Sequence, residues 1–189
     1  MNTTNYAKEI KQALNIKHYC NLVKALGSQL NSRKDRFDKS DIIEQCIEVY
    51  SGGRFKYVDL EGRDHIDTER DFDLEFKYIS NGLFTKSKKQ KSVVKAKLKN
   101  SLGQNKGVTI EDPADYYIFG QEDAMAIISW EDLKHFLVAV PDGIEAHVPF
   151  ENLDFVFVPG EVIINNSIEI DYKTEKRKAQ LRIIESAKV

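Results

Sequence analysis

Residues 54–91 read RFKYVDLEGRDHIDTERDFDLEFKYISNGLFTKSKKQK, and the fold turns on this stretch. Phe55, Tyr57 and Val58 form an apolar-alternating run that predicts a strand. Glu61-Gly62-Arg63-Asp64 predicts a polar turn, in which Gly62 supplies the backbone freedom of a tight reversal. Over residues 72–79 the alternation returns: Phe72, Leu74, Phe76 and Tyr78 face one way, Asp73, Glu75 and Lys77 the other. Glu75 and Lys77 therefore share one face of a strand, and Asp64 arrives from the preceding hairpin. Two carboxylates and a lysine meeting at a strand edge predict a divalent-metal site for phosphodiester cleavage.

Upstream, residues 5–30 carry Tyr6, Ile10, Leu14, Ile16, Tyr19, Leu22, Val23, Leu26 and Leu30 at near-helical spacing, which predicts one long helix. Residues 31–39 read as a charged linker. Ser40 or Asp41 is then expected to cap a short helix over 42–50, and Ser51-Gly52-Gly53 to end it. Downstream, Val94, Leu98 and Leu102 recur every four residues in the acid-free, lysine-rich run 86–106, which predicts an amphipathic helix with a basic face. Residues 114–120 and 124–129 read as buried strands about a Gln121-Glu122-Asp123 turn. Ser129 is expected to cap a helix from Trp130 to Phe136 or Leu137, with Glu131 and Asp132 in its favourable first turn. From Val138 onward short β-like runs (146–149, 155–158, 162–164 and 168–172) alternate with Pro and Gly, and residues 174–184 suit a last helix.

The expected fold is α/β: a mixed central β-sheet flanked by helices, with a β-rich C-terminal extension. A single domain over 1–189 divides into a helical N-terminal part (1–50), a catalytic core (51–137) and the extension (138–189). A hydrophobic share of 41% and a charged share of 31% suit a globular core with a highly charged surface. No apolar run approaches the roughly 18 residues of a membrane helix, and the N-terminus has no apolar signal core, so a cytoplasmic protein is expected. Cys20 and Cys46 sit in helix-like apolar patterns without metal spacing and read as reduced core residues.

An acid two residues before a lysine is cheap in so charged a chain. The pattern occurs at Glu9-Ile10-Lys11, Glu75-Phe76-Lys77, Asp132-Leu133-Lys134 and Asp171-Tyr172-Lys173. Glu9 and Asp132 fall on expected helices, where i and i+2 do not share a face. Too little chain follows Lys173 to complete a sheet around Asp171. Glu75 alone has an upstream carboxylate, an alternating strand beneath it and αβ structure behind it.

Asp64, ten residues, and then Glu75-Phe76-Lys77 resembles the motif of the PD-(D/E)xK nuclease superfamily, with Arg63 where a proline usually stands. The element order is similar to that superfamily's core, in which a helix precedes a hairpin carrying the motif and a helix and two strands follow. More closely, residues 54–92 resemble the PvuII type of Type II restriction endonuclease. Lys86, Ser87, Lys88 and Lys89 stand where that type has histidines. The resemblance implies a restriction-endonuclease-like core and a homodimer hydrolysing double-stranded DNA at a specific sequence. Asp64, Glu75 and Lys77 would be catalytic, and Asp64, Glu75 and the Phe76 carbonyl would hold Mg2+, for which Mn2+ substitutes. Thr85, Lys86, Ser87, Lys88, Lys89 and Lys91 would contact DNA. No organic cofactor is implied.

Plainer readings stand beside these. Asp64 suits a turn aspartate bonding its own backbone, and Glu75 with Lys77 suits an ion pair on an edge strand. The lysine run suits a solvated helix face as well as a phosphate-tracking surface. Asp59 is an alternative first carboxylate, Glu48 a candidate second-metal contact, and His65 a structural or surface histidine. A nuclease of DNA repair or junction resolution and a non-catalytic nucleic-acid-binding module are the alternative functions.

Overall fold

A computed structural model of the chain describes residues 2–29, 35–60, 62–79, 93–96, 112–141 and 144–164. Helices α1 (Thr3–Ala13), α2 (Ile16–Gln29) and α3 (Asp35–Tyr50) lead into strands β1 (Phe55–Leu60), β2 (Arg63–Asp67) and β3 (Phe72–Tyr78). Strands β4 (Val93–Ala96), β5 (Tyr116–Gly120) and β6 (Met125–Ser129) follow, then α4 (Trp130–Leu137), β7 (Ala146–Pro149), a short 3-10 turn (Phe150–Asn152) and β8 (Asp154–Phe157). Six strands form one mixed sheet in the order β1-β2-β3-β5-β6-β8, and β4 pairs with β7 in a separate ribbon. Among the described residues only the β3–β5 pairing of the large sheet is parallel. A parallel pairing needs a crossover, and residues 79–115 provide it. Among the described residues no helix is long and apolar enough to cross a membrane.

The central sheet is buried on both faces. Leu74, Phe76, Tyr116, Ile118, Met125 and Ile127 pack under α1, α2 and α3. Tyr117, Phe119, Ala126 and Ile128 pack against Leu133 and Leu137 of α4, Ala146 and Val148 of β7, and Leu153. Alternation along β5 and β6 thus feeds two cores at once. Gly120 ends β5 as glycine because any Cβ would lie 2.4 Å from the Tyr19 hydroxyl and 2.6 Å from the Phe76 ring. Both cysteines are buried and neither is in a disulfide.

Several expectations are corrected. The long N-terminal helix is two helices. Leu14 turns extended, and the Asn15 side chain accepts the His18 N–H as a cap for α2. Helix α3 begins at Asp35, so part of the expected linker is helical. The Ser40 hydroxyl bonds Glu44 one turn on (2.8 Å) instead of capping. The expected single hairpin is a three-stranded meander, and Asp64 lies on β2, not in the turn. Strand β2 was hidden because the residues it buries are His65 and Asp67, which break any apolar alternation.

Residues 93–96 of the expected basic helix form a strand. The β-branched pair Val93-Val94 lies opposite Pro149 and Val148. The rest of that run, with Thr85, Lys86, Ser87, Lys88, Lys89 and Lys91, lies outside the described residues. Of the β-rich extension, β7 joins the ribbon and β8 completes the main sheet beside β6, while residues 162–164 are irregular. The expected strand at 168–172, Asp171 within it, and the last helix lie outside the described residues.

The polar interior of β2 is held from both sides. Asp67, fully buried, accepts hydrogen bonds from Arg54 (2.9 and 3.0 Å) and from the Tyr6 hydroxyl (2.8 Å). Burial works to raise its carboxyl, but the Arg54 and Tyr6 bonds outweigh it and leave it below the usual range. Glu9 on α1 ties Arg54 and Arg70 to the same corner. Truncating Asp67 to alanine removes the buried partner of the Arg54 guanidinium and leaves the buried Tyr6 hydroxyl without its acceptor, and urea unfolding is expected to show a loss of about 3–5 kcal/mol. Glu69→Ala removes the exposed partner of Arg54 and is expected to cost under about 1 kcal/mol. Equal losses would contradict the assignment.

Candidate active site

The backbone ladder between β2 and β3 stops at His65 opposite Leu74. Continued by one residue, the register would set Asp64 opposite Glu75. There the strands part, and the Asp64 side chain, rather than a main-chain carbonyl, accepts the Phe76 N–H at 2.7 Å. On its other edge β3 stays paired with β5 from Leu74 to Tyr78. An opening thus forms beside a strand that is itself firmly held. In an extended strand the N–H and C=O of one residue leave by the same edge, so the Phe76 carbonyl points to the side where Asp64 sits.

Glu75 lies on the Tyr117 face of β3 and is buried, with 7% of its surface accessible. One carboxylate oxygen, Oε1, is paired with the Lys77 ammonium. The other, Oε2, is buried with no hydrogen-bond partner among the described residues. A buried carboxylate oxygen without a partner is costly and calls for a cation or donor.

Helix α3 adds a third acid, Glu44. Its charge acts on Asp64, and the charges of Lys77 and Glu75 act on it. Burial, and then the Glu75 and Glu44 carboxylates, push the Asp64 carboxyl up to about 8, against the Lys77 ammonium and the Phe76 N–H. Burial also pushes Glu44 up to about 7, opposed by the Ser40 hydroxyl. Three carboxyl groups facing one ammonium make a site that favours added positive charge.

The structure therefore brings Asp64, Glu75 and Lys77 together. Phe76 contributes only backbone, since its ring is in the core. Glu48, named as a second-metal contact, turns to edge strand β1, where its Oε2 accepts the Tyr57 N–H at 3.0 Å. Glu44, one turn earlier, is the helix acid at the site. The available signal was its place between Ile43 and Ile47, beside the buried stripe of α3. His65 is structural. Its Nε2 lies 2.8 Å from the Glu44 carbonyl, and burial lowers its pKa to about 4, so the neutral ring donates there.

The competing acids have other partners. Asp73 and Asp112 hold Arg63, Glu9 holds Arg54 and Arg70, and Asp132 accepts the Ser129 hydroxyl at the start of α4. The side chain of Asp59 lies outside the described residues. Among the described residues no three His, Cys, Asp or Glu side chains are placed to form a metal cage. The donor set is a carboxylate pair and a backbone oxygen, which suits a magnesium ion that keeps several of its waters. Comparison of the chain with protein-family models, curated proteins and solved structures found no match.

Asp64 and Glu44 are held above their ordinary values, so between about pH 4 and pH 8 these two groups bind more protons in the folded chain than in the unfolded one, while the lowered His65 offsets part of that excess below about pH 6.5. Their effect favours the fold at low pH and is lost as pH rises through that window. The melting temperature is expected to fall between pH 5 and pH 8.5, and to fall less in Asp64→Asn. Magnesium at pH 8.5 is expected to restore the wild type and not the variant. A magnesium effect of equal size in both would show that Asp64 holds no ion.

Proposed function

We propose that this chain is a Mg2+-dependent nuclease that hydrolyses phosphodiester bonds of double-stranded DNA, in its most specific form a Type II restriction endonuclease. The observation that carries the reading is Glu75: a buried carboxylate with one oxygen on Lys77 and the other without a partner, next to Asp64. The order of elements supports it. A helix, a meander carrying the acids, a crossover and a parallel strand followed by an antiparallel one are similar to the core of the PD-(D/E)xK superfamily.

Asp64, Glu75 and the Phe76 carbonyl are the ligands proposed for Mg2+, with Mn2+ as a substitute. When bound, such an ion neutralises phosphate charge and acidifies a water. Asp64 is fixed by its bond to the Phe76 N–H, and Glu75 by its place on a strand paired with β5. Both carboxylates therefore stay in register without substrate. Lys77, on the same face as Glu75, orients the attacking water and stabilises the charge that develops on the phosphate. Thr85, Lys86, Ser87, Lys88, Lys89 and Lys91 are proposed to follow the DNA backbone. A homodimer would match two-fold symmetry in a cut duplex, and a cytoplasmic location suits the substrate.

The test is incubation of the purified chain with mixed plasmid DNA. Discrete fragments with magnesium and none with a chelator are expected, and cleavage should drop at least about a hundredfold in Glu75→Ala and Lys77→Ala. A smear would indicate a repair-type or nonspecific nuclease. Intact DNA that the protein nevertheless binds would indicate a non-catalytic module. Full activity in either folded variant would overturn the site.

A further inference from the structure

We propose that the Lys77 ammonium is the resident counter-ion of the carboxylate site: it neutralises Glu75 until a divalent cation takes its place, and the exchange frees the amine for a bound phosphodiester. This rests on the reading of Asp64 and Glu75 as cation ligands. It adds a competition between the lysine and the ion that the ligand assignment does not itself contain.

The two partners differ in their freedom to leave. The Glu75 side chain is 10% exposed and that of Lys77 42%. Both residues stand on β3 beside β5, but Glu75 holds its charge on a short buried side chain, whereas Lys77 carries its charge on a flexible four-carbon stem whose head hydrates readily. The carboxylate stays, and the amine can go.

Other cations nearby have separate partners. Arg63 is held by Asp73 and Asp112, and the Lys39 ammonium lies 4.8 Å from the centre of the Tyr78 ring. The charge of Lys77 acts on Asp64 and Glu44 as well as on its direct partner Glu75. A divalent ion placed against Glu75 Oε2 and Asp64 brings twice that charge, and an ammonium left on Oε1 would repel it. Exchange relieves both conflicts. By linkage, whatever the ion does to the hold on Lys77, Lys77 does to the ion's affinity.

Two measurements on the full chain test the exchange. Calorimetric titration with Ca2+ at pH 8.5, where protons compete least, compares wild type with Lys77→Met, which keeps the stem and removes the charge. The variant is expected to bind about tenfold more tightly. Equal or weaker binding in a folded variant would overturn the exchange. Pulsed acetylation of the wild type, read by mass spectrometry, needs no variant: the Lys77 amine should be modified several-fold faster with Ca2+ than without. An unchanged or slower rate would overturn the exchange while leaving the ligand assignment standing. A wild type that binds no Ca2+ would overturn both.

Discussion

The structure depends on one substitution of partners. Where β2 leaves β3, the Asp64 carboxylate takes over the Phe76 N–H that the backbone ladder no longer reaches. That bond satisfies a buried donor, fixes the carboxylate and lets the strands separate without leaving the amide orphaned. It also draws Asp64 toward Glu75, so two acids share a poorly solvated space. The site is an electrostatic conflict held in place by a hydrogen bond.

Such a conflict survives only on a rigid frame. On one edge β3 is paired from Leu74 to Tyr78 with β5, which has apolar layers on both faces. On the other edge β2 is anchored by polar groups: Asp67 under Arg54 and Tyr6, and His65 on the Glu44 carbonyl. The second contact ties α3, which supplies Glu44, to the strand that supplies Asp64. Position of the third acid and position of the first are thus set by one histidine. The candidate site and the stability of the sheet meet in β2, whose buried side chains, His65 and Asp67, are polar and held by hydrogen bonds.

Much of this was legible in the sequence, for physical reasons. Strand β3 alternates over its whole length, so its two faces and the shared side of Glu75 and Lys77 follow from period two. Strands β5 and β6 are short apolar runs about a polar turn, and Ser129 caps α4 where Glu131 and Asp132 suit a helix start. Strand β2 was not legible, since a strand that buries His65 and Asp67 looks like a loop. Nor was the break at Asn15, because the apolar spacing of α1 and α2 runs on across it. Strand β4 depends on pairing with β7, far along the chain, so the helical spacing of Val94, Leu98 and Leu102 misled. Glu44 and Glu48 lie one turn apart on the same helix side, and only the position of β1 decides that Glu48 serves its edge.

The central claim is that the opening between β2 and β3 holds a divalent cation between Asp64 and Glu75. Anomalous diffraction from crystals soaked in Mn2+ tests it most directly. A single peak about 2.0–2.3 Å from an Asp64 oxygen and from Glu75 Oε2 is the expected result. A peak bound elsewhere, or none between these two carboxylates at saturating Mn2+, would contradict the account.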